Sequence, residues 1–137
     1  MITENVAPDQ SQIRWIIDMD WYEKNNRSFE DTAQRGMCVK CAAKLGKKKK
    51  KNSSADILSS IKECCSQLPE FIPPKLPIAE SIFRILLASG NQPTTAYQIG
   101  RQLSERRGGD TYAGDIQMIT RLLKNDNHYG FKRVEEK

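Results

Sequence analysis

The chain has 137 residues, of which 38% are hydrophobic and 28% charged, with a formal net charge of +5. That is one ordinary domain, or a small domain with an appended module, and no apolar run reaches the roughly 20 residues that cross a bilayer. The single histidine, His128, excludes a multi-histidine metal site, and no nucleophile and orienting group can be assembled around it.

The charge is uneven. Residues 1–30 carry three bases and six acids, residues 31–62 nine bases and two acids, and residues 63–137 ten bases and nine acids. The basicity is therefore one block, Lys47, Lys48, Lys49, Lys50 and Lys51. Met1 to Gln10 has acids and no apolar core of a secretory signal, so a reducing, cytoplasmic setting is expected. There the four cysteines read first as thiols or metal ligands, not disulfides.

Three parts follow in order: an N-terminal helical segment over 1–46, a lysine-rich linker over 47–54, and a helical domain over 55–137. In the first, Ser11 is expected to open a helix carrying Ile13, Ile16, Ile17 and Trp21, with Trp15, Met19 and Tyr22 on its flank. A helix apolar around so much of its girth wants a partner. That is either the rest of this chain or a protein docked on Trp15, Trp21 and Tyr22. Asn25-Asn26 ends it. Ser28, three residues before Asp31, signals the N-cap of a short helix through Phe29 and Ala33. Cys38-Val-Lys-Cys41 comes next, and Gly46 closes the segment.

The linker has nothing to bury and reads as a loop that can attract a polyanion. Beyond it, a helix carries Ile57, Leu58, Ile61, Cys64, Cys65 and Leu68 on one side, and Pro69 ends it. Pro73-Pro74 keeps the chain extended. Pro77 suits the first turn of a helix bearing Ile78, Ile82, Phe83, Ile85 and Leu86, and Ser89-Gly90-Asn91 stops it. Thr94 or Thr95 caps the next helix, with Ala96, Ile99 and Leu103 inward. After Gly108-Gly109, Gly114 or Asp115 opens a last helix with Ile116, Ile119, Leu122 and Leu123 inward. Asn125-Asp126-Asn127 ends that helix, and Tyr129 to Val134 reads as a short strand.

The cysteines carry the sharpest chemistry. Cys38-x-x-Cys41 has the spacing of a zinc knuckle, in which two thiolates reach one tetrahedral ion. Cys64 and Cys65 supply a second pair, and four thiolates would close a structural Zn²⁺ site with no position left for catalysis. Neighbours on a helix point about 100° apart, so two adjacent ligands require a helix end or a local distortion. The alternative is that one or both of Cys64 and Cys65 simply extend the apolar face of Ile57 and Ile61. A bound ion would clamp both ends of the lysine loop and display it as a basic finger.

The order from Pro77 to Val134 is helix, short extended Pro-Thr-Thr piece, helix, glycine-containing turn, helix, strand. It resembles a winged helix-turn-helix domain over about 58 residues of the chain. The resemblance implies a mainly α fold with a nucleic-acid-binding role, DNA before RNA, as in a transcriptional regulator. Its recognition helix would be Asp115 to Lys124, lying in the major groove. Gln117, Met118, Thr120, Arg121 and Lys124 would then point outward. Gln117 and Arg121 have bidentate geometry for base edges, and Thr120 and Lys124 suit phosphate. The family's wing is a hairpin, and here the final strand is expected to pair with Pro93-Thr94-Thr95. Arg106 and Arg107 could clamp a phosphate, or merely complement the dipole at a helix end. The stretch Asp20 to Phe29, both cysteine pairs and the run Ser104 to Asp110 together resemble a bacterial family of no assigned function. The other reading of the whole chain is a non-catalytic accessory subunit of a larger assembly, RNA- or ribosome-associated in one variant.

Overall fold

The computed structural model describes residues 13–46, 54–73, 75–107 and 116–134. Its elements run β1 Arg14–Ile17, α1 Met19–Lys24, α2 Phe29–Gln34, α3 Val39–Gly46, α4 Ser54–Glu63, α5 Ile78–Ala88, β2 Thr94–Thr95, α6 Ala96–Arg107, α7 Ile116–Lys124 and β3 Phe131–Val134. Two 3₁₀ turns, Cys65–Gln67 and Pro69–Phe71, lie between α4 and α5. The fold is mainly helical with a small antiparallel sheet. No helix among the described residues is long and apolar enough to cross a membrane.

The first departure from expectation is at the N-terminus. The helix expected from Ser11 to Asn25-Asn26 is instead a strand followed by a short helix. Asp18 makes the division: it has extended backbone, and its side chain accepts a hydrogen bond from the Asp20 amide, so the helix begins only at Met19. Upstream, Trp15 and Ile17 point inward and Arg14 outward, the period-two alternation of a strand. Tyr22 on α1 is buried too, and its hydroxyl donates to the Tyr129 carbonyl at 2.7 Å. Burial pushes that phenol well above its ordinary range. Trp15 and Tyr22 thus fill this chain's own core.

The strand order is β2-β1-β3, both pairs antiparallel. Arg14 pairs with Thr95 on one side and with Val134 on the other. The last strand therefore does not meet Pro93-Thr94-Thr95, as its position after α7 suggested; β1 lies between them. A side chain reinforces the arrangement. The Asn91 amide accepts from Ile17 N at 2.7 Å and donates to Ile17 O at 2.9 Å, imitating a strand partner. Asn91 holds the left-handed conformation, φ 61°, that places it there.

Under the sheet, α5 is the central helix. Ser81, Ile82, Phe83, Ile85, Leu86 and Leu87 are all buried, and it packs on α4, α6 and β1. Each such aliphatic side chain contributes roughly 1.5–3 kcal/mol by burial. Helix α6 starts at a reciprocal cap: Thr95 Oγ1 accepts from Gln98 N, and Gln98 Oε1 accepts from Thr95 N, both at 3.1 Å. Its inward residues Ala96, Ile99 and Leu103 are those expected. The Ser28 cap of α2 is also as expected, with Ser28 Oγ accepting from Asp31 N at 3.1 Å. A single cluster of buried side chains runs from Trp15 and Phe29 through Ile57 and Phe83 to Leu123. The stretch read as a separate N-terminal segment thus shares one core with the rest.

Candidate functional site

Helix α4 stops at Glu63. Cys64 leaves helical geometry, with φ −128° and ψ −65°, and Cys65 opens a 3₁₀ turn. This is the helix end that two adjacent ligands require. It aims both thiols at the start of α3. The Sγ atoms of Cys38, Cys41 and Cys64 all lie within 4.8 Å of one another, close enough to hold a metal ion. Cys38 Sγ is 3.9 Å from Cys64 Sγ. Two thiolates at 2.3 Å from a tetrahedral ion stand about 3.8 Å apart, so this pair already fits. Cys65 stands outside the mutual set, but its Sγ is 3.4 Å from Cys38 Sγ and accepts the Cys38 backbone N–H at 3.1 Å.

The thiols differ electrostatically. The Cys41 backbone N–H bonded to its sulfur, with help from the other thiols, pulls Cys38 down to about 7. Burial pushes the Cys41 thiol up, as it does Cys65. Crowded thiols without a counter-charge resist becoming several thiolates. A cation among them removes that penalty, because a coordinating thiol is deprotonated outright. Cys41 and Cys65 also belong to the buried core, so the cluster joins α3 to the end of α4 from inside.

The second candidate surface is the outer face of α7. Gln117, Arg121 and Lys124 are exposed, as expected. Thr120 is not: it is only 3% exposed. It lies four residues after Ile116 and three before Leu123, on the stripe that faces the core. Met118, also expected outside, is half-buried against the core. Strand β3 packs beside α7 and exposes Lys132 and Arg133. The acid in this region among the described residues, Asp126, is turned to the backbone. Its carboxylate accepts from the amides of His128, Tyr129, Gly130 and Phe131 and shapes the turn into β3. Asn-Asp-Asn marked that turn in the sequence, but not which residue holds it.

Arg106 and Arg107 are not displayed as a clamp. Arg106 donates to the Ser66 carbonyl at 3.1 Å and lies 5.5 Å from the Phe71 ring centre. Arg107 donates to the Leu76 carbonyl and, at 3.0 Å, to Ser81 Oγ. Both tie the end of α6 to the turns that follow the cysteines. Neither the phosphate role nor the simple dipole role anticipated this, because the carbonyls concerned are distant in sequence. Lys47, Lys48, Lys49, Lys50 and Lys51 lie outside the described residues, as does Asp115. No protein family, curated protein or solved structure matches the chain.

Proposed function

We propose that this chain is a small nucleic-acid-binding protein of winged-helix type, with a structural zinc ion in its cysteine cluster. The observation that carries the binding role is the composition of the α7 face. Gln117, Arg121 and Lys124 are exposed there, Lys132 and Arg133 follow on β3, and the neighbouring Asp126 is taken up by backbone amides. Such a face suits the phosphate-rich surface of a duplex. The order α5, β2, α6, α7, β3 supports the winged-helix reading. The partner of the last strand is β1 in place of a second wing strand.

The cysteine geometry supports zinc. Thiolate-only donor sets are soft and suit Zn²⁺ over the hard cations. With Cys38, Cys41 and Cys64 as ligands and Cys65 completing or buttressing the set, the ion is a staple. The lysine run, set between the two cysteine pairs, adds sequence-independent phosphate attraction. The rival reading, a subunit docking through Trp15, Trp21 and Tyr22, loses most of its surface to the core.

Two measurements on one preparation test the proposal. Elemental analysis should find zinc at native stoichiometry. Fluorescence anisotropy with mixed-sequence duplex DNA should show affinity falling steeply with salt. The R121E/K124E double variant should weaken binding to every sequence and reduce the salt slope by about one unit per lost phosphate contact. Folded, zinc-loaded protein with no salt-dependent binding overturns the nucleic-acid reading.

A further inference from the structure

One sulfur of the cysteine cluster is left over. Cys38, Cys41 and Cys64 converge mutually, and Cys65 does not belong to that set. Yet Cys65 Sγ lies 3.4 Å from Cys38 Sγ, nearer than Cys64 Sγ at 3.9 Å. It is also held there, because it accepts the Cys38 backbone N–H at 3.1 Å and belongs to a residue buried in the core. A disulfide needs about 2.05 Å between sulfurs, so this pair must close by roughly 1.4 Å, a side-chain adjustment.

The two thiols differ in access. Cys38 is half-buried, and the next residues, Val39 and Lys40, are exposed. Cys65 is sealed inside. An accessible thiol meets an oxidant first, and a sheltered neighbour in contact with it can then close on the oxidised sulfur. A zinc ion has no redox chemistry of its own, so in a zinc–thiolate cluster an oxidant takes its electrons from sulfur.

We propose that Cys38 is a site of reversible oxidation by hydroperoxides, and that Cys65 captures it as a Cys38–Cys65 disulfide. The Cys38 sulfur attacks the terminal peroxide oxygen. An S–O bond forms, the O–O bond breaks, and the leaving oxygen takes a proton and departs as water or an alcohol. The Cys65 sulfur then attacks the Cys38 sulfur. The S–S bond forms, the S–O bond breaks, and hydroxide leaves with the Cys65 proton as water. Each thiol has given one electron, and the peroxide has taken both. Cys38 in a disulfide cannot serve as a thiolate ligand, so oxidation and metal binding exclude one another. That consequence rests on the zinc reading and adds regulation to the same site; the disulfide itself does not depend on it.

The experiment treats the full chain, as purified, with hydrogen peroxide in slight excess. Disulfides are mapped by mass spectrometry of unreduced peptides, and zinc released above the untreated sample is read with a chromogenic chelator. One bond is expected, Cys38–Cys65, with one zinc released per bond, and dithiothreitol should restore the thiols. Cys64→Ala, which lacks a metal ligand, should still form the bond. Cys65→Ala should lose the reversibility, with Cys38 carried on to its sulfinic acid. Should Cys65→Ala fold poorly, the wild-type map decides alone. A Cys38–Cys41, Cys38–Cys64 or Cys64–Cys65 bond in the wild type overturns the proposal, as does reversible oxidation that survives in Cys65→Ala. A chain that carries no zinc yet forms the Cys38–Cys65 bond upholds the thiol pair and overturns the zinc reading. One that keeps its zinc and all four thiols through the treatment does the reverse.

Discussion

Gly130 joins the turn after α7 to β3 with φ +71°, a conformation that side chains resist. A Cβ there would also come within 2.9 Å of Trp21 Cε3 and 3.1 Å of Cδ2. The indole cannot easily retreat, since it packs edge-on against Tyr22 with Arg27 over its face. Gly90 has a similar φ, +74°, but a Cβ would meet only the flexible Lys62 side chain at 3.5 Å. Gly90→Ala is therefore expected to cost about 1 kcal/mol, and Gly130→Ala clearly more, about 3 kcal/mol. Urea unfolding of the two variants side by side checks this; equal losses would show that the Trp21 contact is soft. At this scale the sequence was informative where the chemistry is local. Ser28 and Thr95 were legible as caps because their partners lie three residues on. The burial of Thr120 was not, because a threonine on the rim of an apolar stripe fits either face. Nor was Arg106, whose carbonyl partner on Ser66 is brought near only by the fold.

Between residues and the whole lie the elements, and there β1 is the instructive one. The run Ile13 to Ile17 with Trp21 satisfies a helical spacing, and a short apolar run cannot be assigned by periodicity alone. What decides it is tertiary. A central strand position between β2 and β3 was waiting, and Asp18 restarts the chain as a helix. The longer helices were legible because they bury a continuous face. The joint between α6 and the cysteine turn is another property of elements. Burial pulls Arg106 below the ordinary arginine range, yet its guanidinium stays hydrogen-bonded and stacked on Phe71. Arg106→Ala should cost about 2 kcal/mol, and Arg106→Lys should recover little, because an ammonium lacks the planar fork. Denaturant midpoints test this. A change under about 0.5 kcal/mol would mean that the side chain is held by nothing and is available to an anion.

Over the whole molecule, the cysteine cluster joins two stretches separated by residues 47–53, and the buried apolar side chains among the described residues form one cluster. A ligand that binds only the folded state adds to its stability by mass action. At free metal about 100-fold above the dissociation constant this is about 2.7 kcal/mol, which for a chain of this size lowers the melting temperature by about 10 °C on removal. A chelator should therefore shift the melt of the wild type and leave Cys38→Ser, already lower, where it was. Identical melts for both proteins with and without chelator would show that the thiols hold no metal. The cysteines close enough to hold a metal ion were legible from spacing, although which three sulfurs converge depended on where α4 ends.

Finally, the strand order fixes a sequence of events in time. Of the three described strands β1 is synthesised first, and it occupies the middle of the sheet. Its register with β3 joins Arg14 to Val134, far apart in the sequence. Closing so long a loop is entropically slow, and nothing repays it until both ends are present. The cysteine pairs come together without β3, so a metal bound there would join α3 to the end of α4 early. β2 can fill one edge of β1 earlier, but the other edge stays open until Phe131–Val134 arrives. The newborn chain is thus exposed to misassembly at that edge until β3 emerges, and those four residues relieve the hazard.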